Sequence, residues 1–143
     1  CDVRVLAVDP GLTRCGVGVV ATGQGSTLQI VTVGVIRTSA DLPLHERLHE
    51  LRVELDAVFE RTQPDAVAVE RMFARHDVST IMGTAQASAV PMLAAAERGL
   101  PLGLHTPSEV KAAVTGNGRA DKAQVTTMVT RILGLEVAPR ILA

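Results

Sequence analysis

Two acidic residues, each ending a short β-like run of apolar residues, are the first candidates for chemistry. Asp9 follows the alternating run 3–8 and precedes a sharp Pro10-Gly11 turn, while Glu70 ends the run 65–69. A carboxylate at the mouth of a buried strand is poorly hydrated unless a cation lies beside it. Hard divalent cations prefer oxygen ligands. The pattern therefore predicts one site for divalent cations, formed by Asp9 and Glu70.

Structural roles are the alternative for both acids. Asp9 would then cap the turn that follows it, and Glu70 would form a surface ion pair. One chemistry that such a cation site could support is phosphodiester hydrolysis, which needs a nucleophilic water and a stabilised leaving alkoxide. Two divalent ions roughly 3.5–4 Å apart can supply both.

Composition indicates one soluble globular domain over residues 1–143. The chain is 47% apolar with a formal net charge of −1, and its only aromatic residues are Phe59 and Phe73. We therefore expect a core of Val, Leu, Ile and Ala, as in sheets covered by helices. There is no apolar run of membrane-spanning length and no signal peptide, and Cys1 and Cys15 make no disulfide framework. These features favour a cytoplasmic protein.

Charge is distributed unevenly along the chain. Residues 1–70 contain six Arg and ten acids, whereas residues 71–131 contain seven Lys or Arg and four acids. The acidic first part could hold a metal ion, and the basic second part could attract a polyanionic substrate. Ordinary variation of surface charge is the alternative.

Apolar periodicity predicts the element order βββαβαβαα. Alternating residues mark strands, and spacings of three and four mark helices. The first three strands are expected to form an antiparallel meander. The predicted strands are 3–9, 15–21, 28–37, 65–70 and 100–104, and the predicted helices are 43–61, 78–98, 107–115 and a last one that begins at Asp121.

Several motifs, in their order along the chain, resemble those of the RuvC-type Holliday junction resolvases, a branch of the ribonuclease H-like superfamily. The resemblance covers essentially the whole chain. It implies an α/β fold with a mixed five-stranded sheet, three antiparallel strands followed by two parallel ones, and helices on both faces. The matching motifs are Val8-Asp9-Pro10-Gly11, Val67-Ala-Val-Glu70-Arg-Met-Phe73, Gly83-Thr-Ala-Gln-Ala87, His105-Thr-Pro-Ser-Glu-Val-Lys111 and Asp121-Lys-Ala-Gln-Val125.

The resemblance also implies a function. The expected protein is a metal-dependent endonuclease that resolves four-way DNA junctions in recombination and repair by paired symmetric nicks. It would be a homodimer, use Mg²⁺ or Mn²⁺ with two ions per site, and work with a branch-migration motor. In this family the strands that end in Asp9 and Glu70 would be neighbours, so that Asp9 could bridge both ions while Glu70 holds one.

Further residues match DNA-contacting positions of the family. Phe73 would stack on an unpaired base at the crossover, where the alternative is a hydrophobic plug under the following loop. Lys111 and Lys122 would contact phosphates near the scissile bond, where the alternative is a solvated helix face. His105 precedes a helix cap and is interpreted as structural. Other candidates for backbone contacts are Arg71, Arg75, His76 and Arg119.

One departure from the family pattern concerns the metal site. The family has two further metal-binding positions near the start of a final helix, and no Asp follows Asp121 in this sequence. Either the chain is truncated and lacks that final helix, or the metal site has only half of the family's acidic ligands. A junction-binding protein without activity is therefore the alternative function.

Two other interpretations are less well supported. His45, Glu46 and His49 match the H-E-x-x-H zinc pattern. The apolar stripe of that helix, however, places them on its solvated flank and near-opposite side. The actin and sugar-kinase ATPases also have Asp-x-Gly after a strand, but they need two such domains, and this chain has room for one.

Overall fold

The computed structural model describes residues 3–22, 28–71 and 78–106. The predicted elements within these ranges are all present, and their ends lie within two residues of those predicted. The predicted helices at 107–115 and from Asp121 lie outside the described residues. The elements are β1 (Arg4–Asp9), β2 (Arg14–Thr22), β3 (Leu28–Arg37), α1 (Leu44–Thr62), β4 (Ala66–Glu70), α2 (Val78–Glu97) and β5 (Leu102–His105).

The five strands form one mixed sheet in the order β3-β2-β1-β4-β5. The pairs β1–β2 and β2–β3 are antiparallel, while β1–β4 and β4–β5 are parallel. This arrangement confirms the predicted meander followed by two parallel strands. Because β1, β4 and β5 run in the same direction, their carboxyl ends lie at one edge of the sheet, which we call the acidic edge.

The core lies between one face of the sheet and the two described helices. Leu6, Val8, Val67 and Val69 alternate along β1 and β4 and are all buried on this face. The residues that cover them come from both helices, so α1 and α2 pack on the same side of the sheet. The buried helix residues in this cluster are Leu51, Leu55, Val58, Phe59, Ala87, Ala94 and Ala95.

The opposite face of the sheet is built from small side chains near the acidic edge. Ala7, Gly16 and Ala68 lie on this face, because their neighbours along each strand point into the core. Val67 and Val69 of β4 are buried, whereas Ala66 and Ala68 are half-buried. The strand β4 is therefore fully buried on only one of its two faces.

Ion pairs join the middle of α1 to the end of α2. Arg52 of α1 contacts Asp56, 3.0 Å away, and also Glu97 of α2. Arg98, just after α2, contacts Asp56 at 3.1 Å, and its guanidinium carbon lies 4.3 Å from the centre of the Phe59 ring. These contacts link α1 to α2 at the end of the sheet away from the acidic edge. Neither described helix combines the length and the apolarity needed to cross a membrane.

Candidate active site

Asp9 and Glu70 lie side by side at the acidic edge. The parallel register of β1 and β4 pairs Val8 with Val69, and the two acids are the next residues of their strands. Neighbouring strands are roughly 4.8 Å apart. Val8 points into the core, so the exposed Asp9 projects from the opposite face, whereas Glu70 also lines a cavity beside α2. The structure therefore brings together the two residues that the sequence predicted to share a site.

The two acids differ in their surroundings. Asp9 is exposed, whereas Glu70 is half-buried. Glu70 lies at the rim of a cavity of about 210 Å³ between α2 and the β4–β5 pair, whose lining includes Thr84, Ser88 and Leu104. Asp9 is thus the more accessible of the two acids.

The turn after Asp9 is fixed by contacts from three other elements. The Thr38 hydroxyl, just after β3, donates to the Leu12 carbonyl oxygen over 2.5 Å. Arg47 of α1 donates in turn to the Thr38 hydroxyl oxygen over 2.9 Å. The Leu12 side chain packs on Gly83 of α2, where an added Cβ would lie 3.2 Å from it. The loop that follows Asp9 is therefore held in place before any substrate binds.

Cys15 lies close to Asp9 but is not suited to metal binding. Burial is the main reason that the pKa of the Cys15 thiol is raised to about 11, and the negative charge of Asp9 raises it further. A hydrogen bond from the Gly11 backbone N–H acts in the opposite direction. Only the thiolate is a good metal ligand. At neutral pH Cys15 therefore acts as a core residue.

His105 is the neighbour of Glu70 in the sheet, which the sequence did not reveal. The β4–β5 register pairs Glu70 with His105. The imidazole ring lies over Gly103, where an added Cβ would be 2.8 Å from Nε2. The backbone N–H of Arg71 donates to the His105 carbonyl oxygen over 2.7 Å, which continues the pairing past Glu70. Gly103, two residues before His105, is the local sequence signal for this ring position, because it leaves room for the imidazole.

The donor set at this edge fits a hard divalent cation. Two carboxylates from adjacent strands provide oxygen ligands, and Mg²⁺ commonly binds one or two carboxylates together with water and substrate phosphates. Within 3–22, 28–71 and 78–106 there is no group of three or more His, Cys, Asp or Glu residues arranged to hold a metal. Asp9 and Glu70 are therefore the residues in the described part of this edge that would hold such an ion.

The predicted DNA-contacting residues lie largely outside the described parts of the chain. Arg71 is exposed, directly after Glu70. The zinc-pattern residues His45, Glu46 and His49 are exposed on α1, as the helical periodicity predicts. The residues whose positions are not described are Phe73, Arg75, His76, Lys111, Arg119 and Lys122.

Comparison with known proteins gives one consistent family. Residues 5–143 match the family model described as crossover junction endodeoxyribonuclease RuvC. The RuvC protein of Nocardioides sp. is 65% identical over 138 residues, which cover 96% of this chain and 78% of that protein. The RuvC protein of Thermobifida fusca is 59% identical over 138 residues, with 96% and 76% coverage.

Solved structures agree with this result. The structure described as T. thermophilus RuvC in complex with Holliday junction substrate has a TM-score of 0.89 and 36% identity, and the match covers 96% of this chain and 84% of that one. The yeast mitochondrial Holliday junction resolvase Ydc2 has a TM-score of 0.66 at 15% identity, which shows a shared fold. The chain therefore belongs to the RuvC family of crossover junction endodeoxyribonucleases.

Proposed function

We propose that this protein resolves Holliday junctions by divalent-metal-dependent hydrolysis of two phosphodiester bonds, in homologous recombination and DNA repair in the cytoplasm. The observation that carries the proposal is the adjacency of Asp9 and Glu70, which follow the paired residues Val8 and Val69. Family membership supports the substrate, because matched relatives are crossover junction endodeoxyribonucleases and the T. thermophilus relative forms a complex with a Holliday junction.

In this mechanism Asp9 and Glu70 hold and orient the metal against the scissile phosphate. Bound Mg²⁺ or Mn²⁺, with two ions per site, would make water nucleophilic at neutral pH and stabilise the leaving alkoxide. Because the residues beside the two acids are Ala7, Gly16 and Ala68, which carry at most a methyl group, a DNA backbone can approach the carboxylates closely. The braced turn after Asp9 keeps this ligand in one position, which favours a productive geometry.

Two nicks in strands of like polarity require two active sites, so we propose a homodimer. The surface of α2 supports this proposal, because it exposes several large apolar side chains. Val78 is 72% exposed, and Met82 and Leu93 are each 55% exposed. Burying such a stripe against the α2 helix of a second copy would remove apolar surface from water. A branch-migration motor is the proposed further partner, which would deliver junctions to the dimer.

The direct test is incubation of the protein with a synthetic four-way junction, each strand labelled in turn, with Mg²⁺ or with EDTA. We expect two symmetric nicks in strands of like polarity, only with Mg²⁺, and no cleavage of a linear duplex of the same sequence. Specific junction binding without cleavage in Mg²⁺ or Mn²⁺ would support the alternative, a binding protein without activity. Equal binding to junction and linear duplex would contradict the proposal altogether.

A further inference from the structure

Two arginines of adjacent strands lie directly opposite each other at the acidic edge. The antiparallel register of β2 and β3 pairs Arg14 with Arg37, and both residues are exposed. Like charges in such a cross-strand pair destabilise the sheet. Glu50 and Glu54 line the same groove as Arg37. Even so, the ion pairs among the described residues involve Arg52 and Arg98 and neither member of this pair.

The arginine pair projects from the same face of the sheet as Asp9. Cys15 and Ile36, the neighbours of the two arginines along their strands, are buried in the core. Strand alternation therefore directs Arg14 and Arg37 towards the opposite face, and Arg37, on the edge strand β3, also borders the groove beside α1. Asp9 pairs with Gly16, which is two residues after Arg14. With about 3.3 Å per residue and about 4.8 Å between strands, the Cα atoms of Arg14 and Arg37 lie roughly 8 and 12 Å from that of Asp9.

The strand ends that carry the pair are held in place by Arg47. Its Nε atom donates to the Thr38 hydroxyl oxygen, and its Nη2 atom donates to the Thr13 hydroxyl oxygen over 3.3 Å. Thr13 precedes Arg14, and Thr38 follows Arg37. Arg47 thus connects both strand ends to α1, and the two exposed guanidinium groups extend from a fixed base.

We infer that Arg14 and Arg37 bind backbone phosphates of the DNA a few nucleotides from the scissile phosphate, on the β2–β3 side of Asp9. One strand of a duplex carries a phosphate about every 3.4 Å along its axis. The pair therefore faces the phosphates a few nucleotides from the one at Asp9. Guanidinium groups bind phosphate oxygens with charge-assisted, bidentate hydrogen bonds. A phosphate between the two arginines would also replace their mutual repulsion with attraction. The inference depends on the proposed function.

The test compares the double variant Arg14→Gln/Arg37→Gln with the parent protein. The control is Arg61→Gln, which removes one positive charge from an exposed position in the last turn of α1. Affinity for a labelled four-way junction is measured over a range of salt concentrations in EDTA, so that cleavage plays no part. A second variant, Arg14→Lys/Arg37→Lys, retains the charge.

We expect the double Gln variant to bind about tenfold more weakly near 0.1 M salt. The slope of log affinity against log salt should fall by up to about 1.8 per protomer, because each lost phosphate contact accounts for about 0.9. The Lys variant should keep most of the slope, and Arg61→Gln should behave as the parent does. The Gln variants should also unfold at the parent temperature or above it, because a like-charge pair is removed.

A double Gln variant with parental affinity and slope would overturn the inference. It would leave the proposed function standing, as long as the parent still prefers the junction to linear duplex. Parental DNA binding together with weaker binding of a polyglutamate peptide would assign the pair to an acidic protein partner and would also overturn it. A fall of several degrees in the unfolding temperature of the Gln variants, with an unchanged salt slope, would show a structural role instead.

Discussion

Gly11 and the backbone of Arg14 are too close to admit a side chain between them. A Cβ atom added to Gly11 would lie 2.2 Å from the Arg14 carbonyl oxygen. That atom belongs to the backbone, so no rotamer change can relieve the clash. The turn that follows Asp9 and starts β2 is therefore compatible only with glycine at this position.

We predict that Gly11→Ala lowers the free energy of unfolding by about 1–3 kcal/mol, as is typical of overpacking. It should also reduce junction cleavage, since Asp9 is two residues away. Urea unfolding and nicking assays measure the two effects. Gly34→Ala is the matched control, because nothing lies within 4 Å of a Cβ at Gly34. Equal stability of the two variants would show that the turn relaxes freely.

The proposed metal site predicts a change in stability as well as in activity. Mg²⁺ should raise the unfolding temperature of the parent, because a ligand that binds only the folded state stabilises it. Asp9→Asn and Glu70→Gln should each reduce this increase. We expect each to lower nicking at least about 100-fold, in line with the loss of one transition-state contact. Asp41→Asn, an exposed substitution in the loop before α1, is the control for the loss of one acid.

Junction affinity in EDTA provides a second readout for the same variants. Removing a carboxylate that faces DNA phosphates removes repulsion, so Asp9→Asn should bind the junction as tightly as the parent or more tightly. Thermal unfolding with Mg²⁺ and binding in EDTA then separate metal binding from DNA binding. A parental response to Mg²⁺ in both variants would remove Asp9 and Glu70 from the metal site.

Local patterns in the sequence were sufficient to predict the elements that the structure describes. The end of α1 is an example, because Gln63-Pro64 directly follows its last residue, Thr62. Gln63 adopts a left-handed conformation with φ of 46°, and its backbone N–H bonds to the Phe59 carbonyl oxygen. A residue before proline is disfavoured in the helical region. Such signals involve neighbours along the chain, which is why single-sequence reasoning finds them.

The pairing of distant strands could not be obtained from the same signals. Each acid could be assigned to a strand end, but the Val8–Val69 register depends on how β1 and β4 pack, which no local pattern encodes. Their adjacency came from the family resemblance. The Arg14–Arg37 pair was missed for the same reason, because an exposed arginine at a strand end resembles any solvated residue.

From the contacts of Arg98 we predict that charge and packing both stabilise the interface between α1 and α2. Arg98→Ala removes the ion pair with Asp56 and the cation–π contact with Phe59, and we expect a loss of about 1–2 kcal/mol in the free energy of unfolding. Arg98→Met keeps an apolar stem against the Phe59 ring and should lose less. The difference between the two variants in urea unfolding, repeated in 1 M salt, separates the two contributions. If each variant loses the same free energy of unfolding in low salt as in 1 M salt, the charge of Arg98 contributes nothing to stability.

Cys15 predicts a loss of stability at alkaline pH. Its pKa of about 11 in the folded protein lies above the ordinary value of 9.0. The unfolded thiol therefore ionises first. Stability from the protonated thiol is fully present below pH 9 and is lost as the pH rises through 11. Two pKa units correspond to about 2.7 kcal/mol, of which about 2 kcal/mol should be gone by pH 10.5.

This chain is well suited to that measurement, because few other groups titrate in the same range. It contains no Tyr and only two Lys, Lys111 and Lys122. In a Cys1→Ser background, urea unfolding at pH 8 and pH 10.5 should show a larger loss for the parent than for Cys15→Ala. The two proteins share every other titrating group, so their difference isolates Cys15. If both lose the same stability, ionisation of the buried thiol has no part in alkaline unfolding.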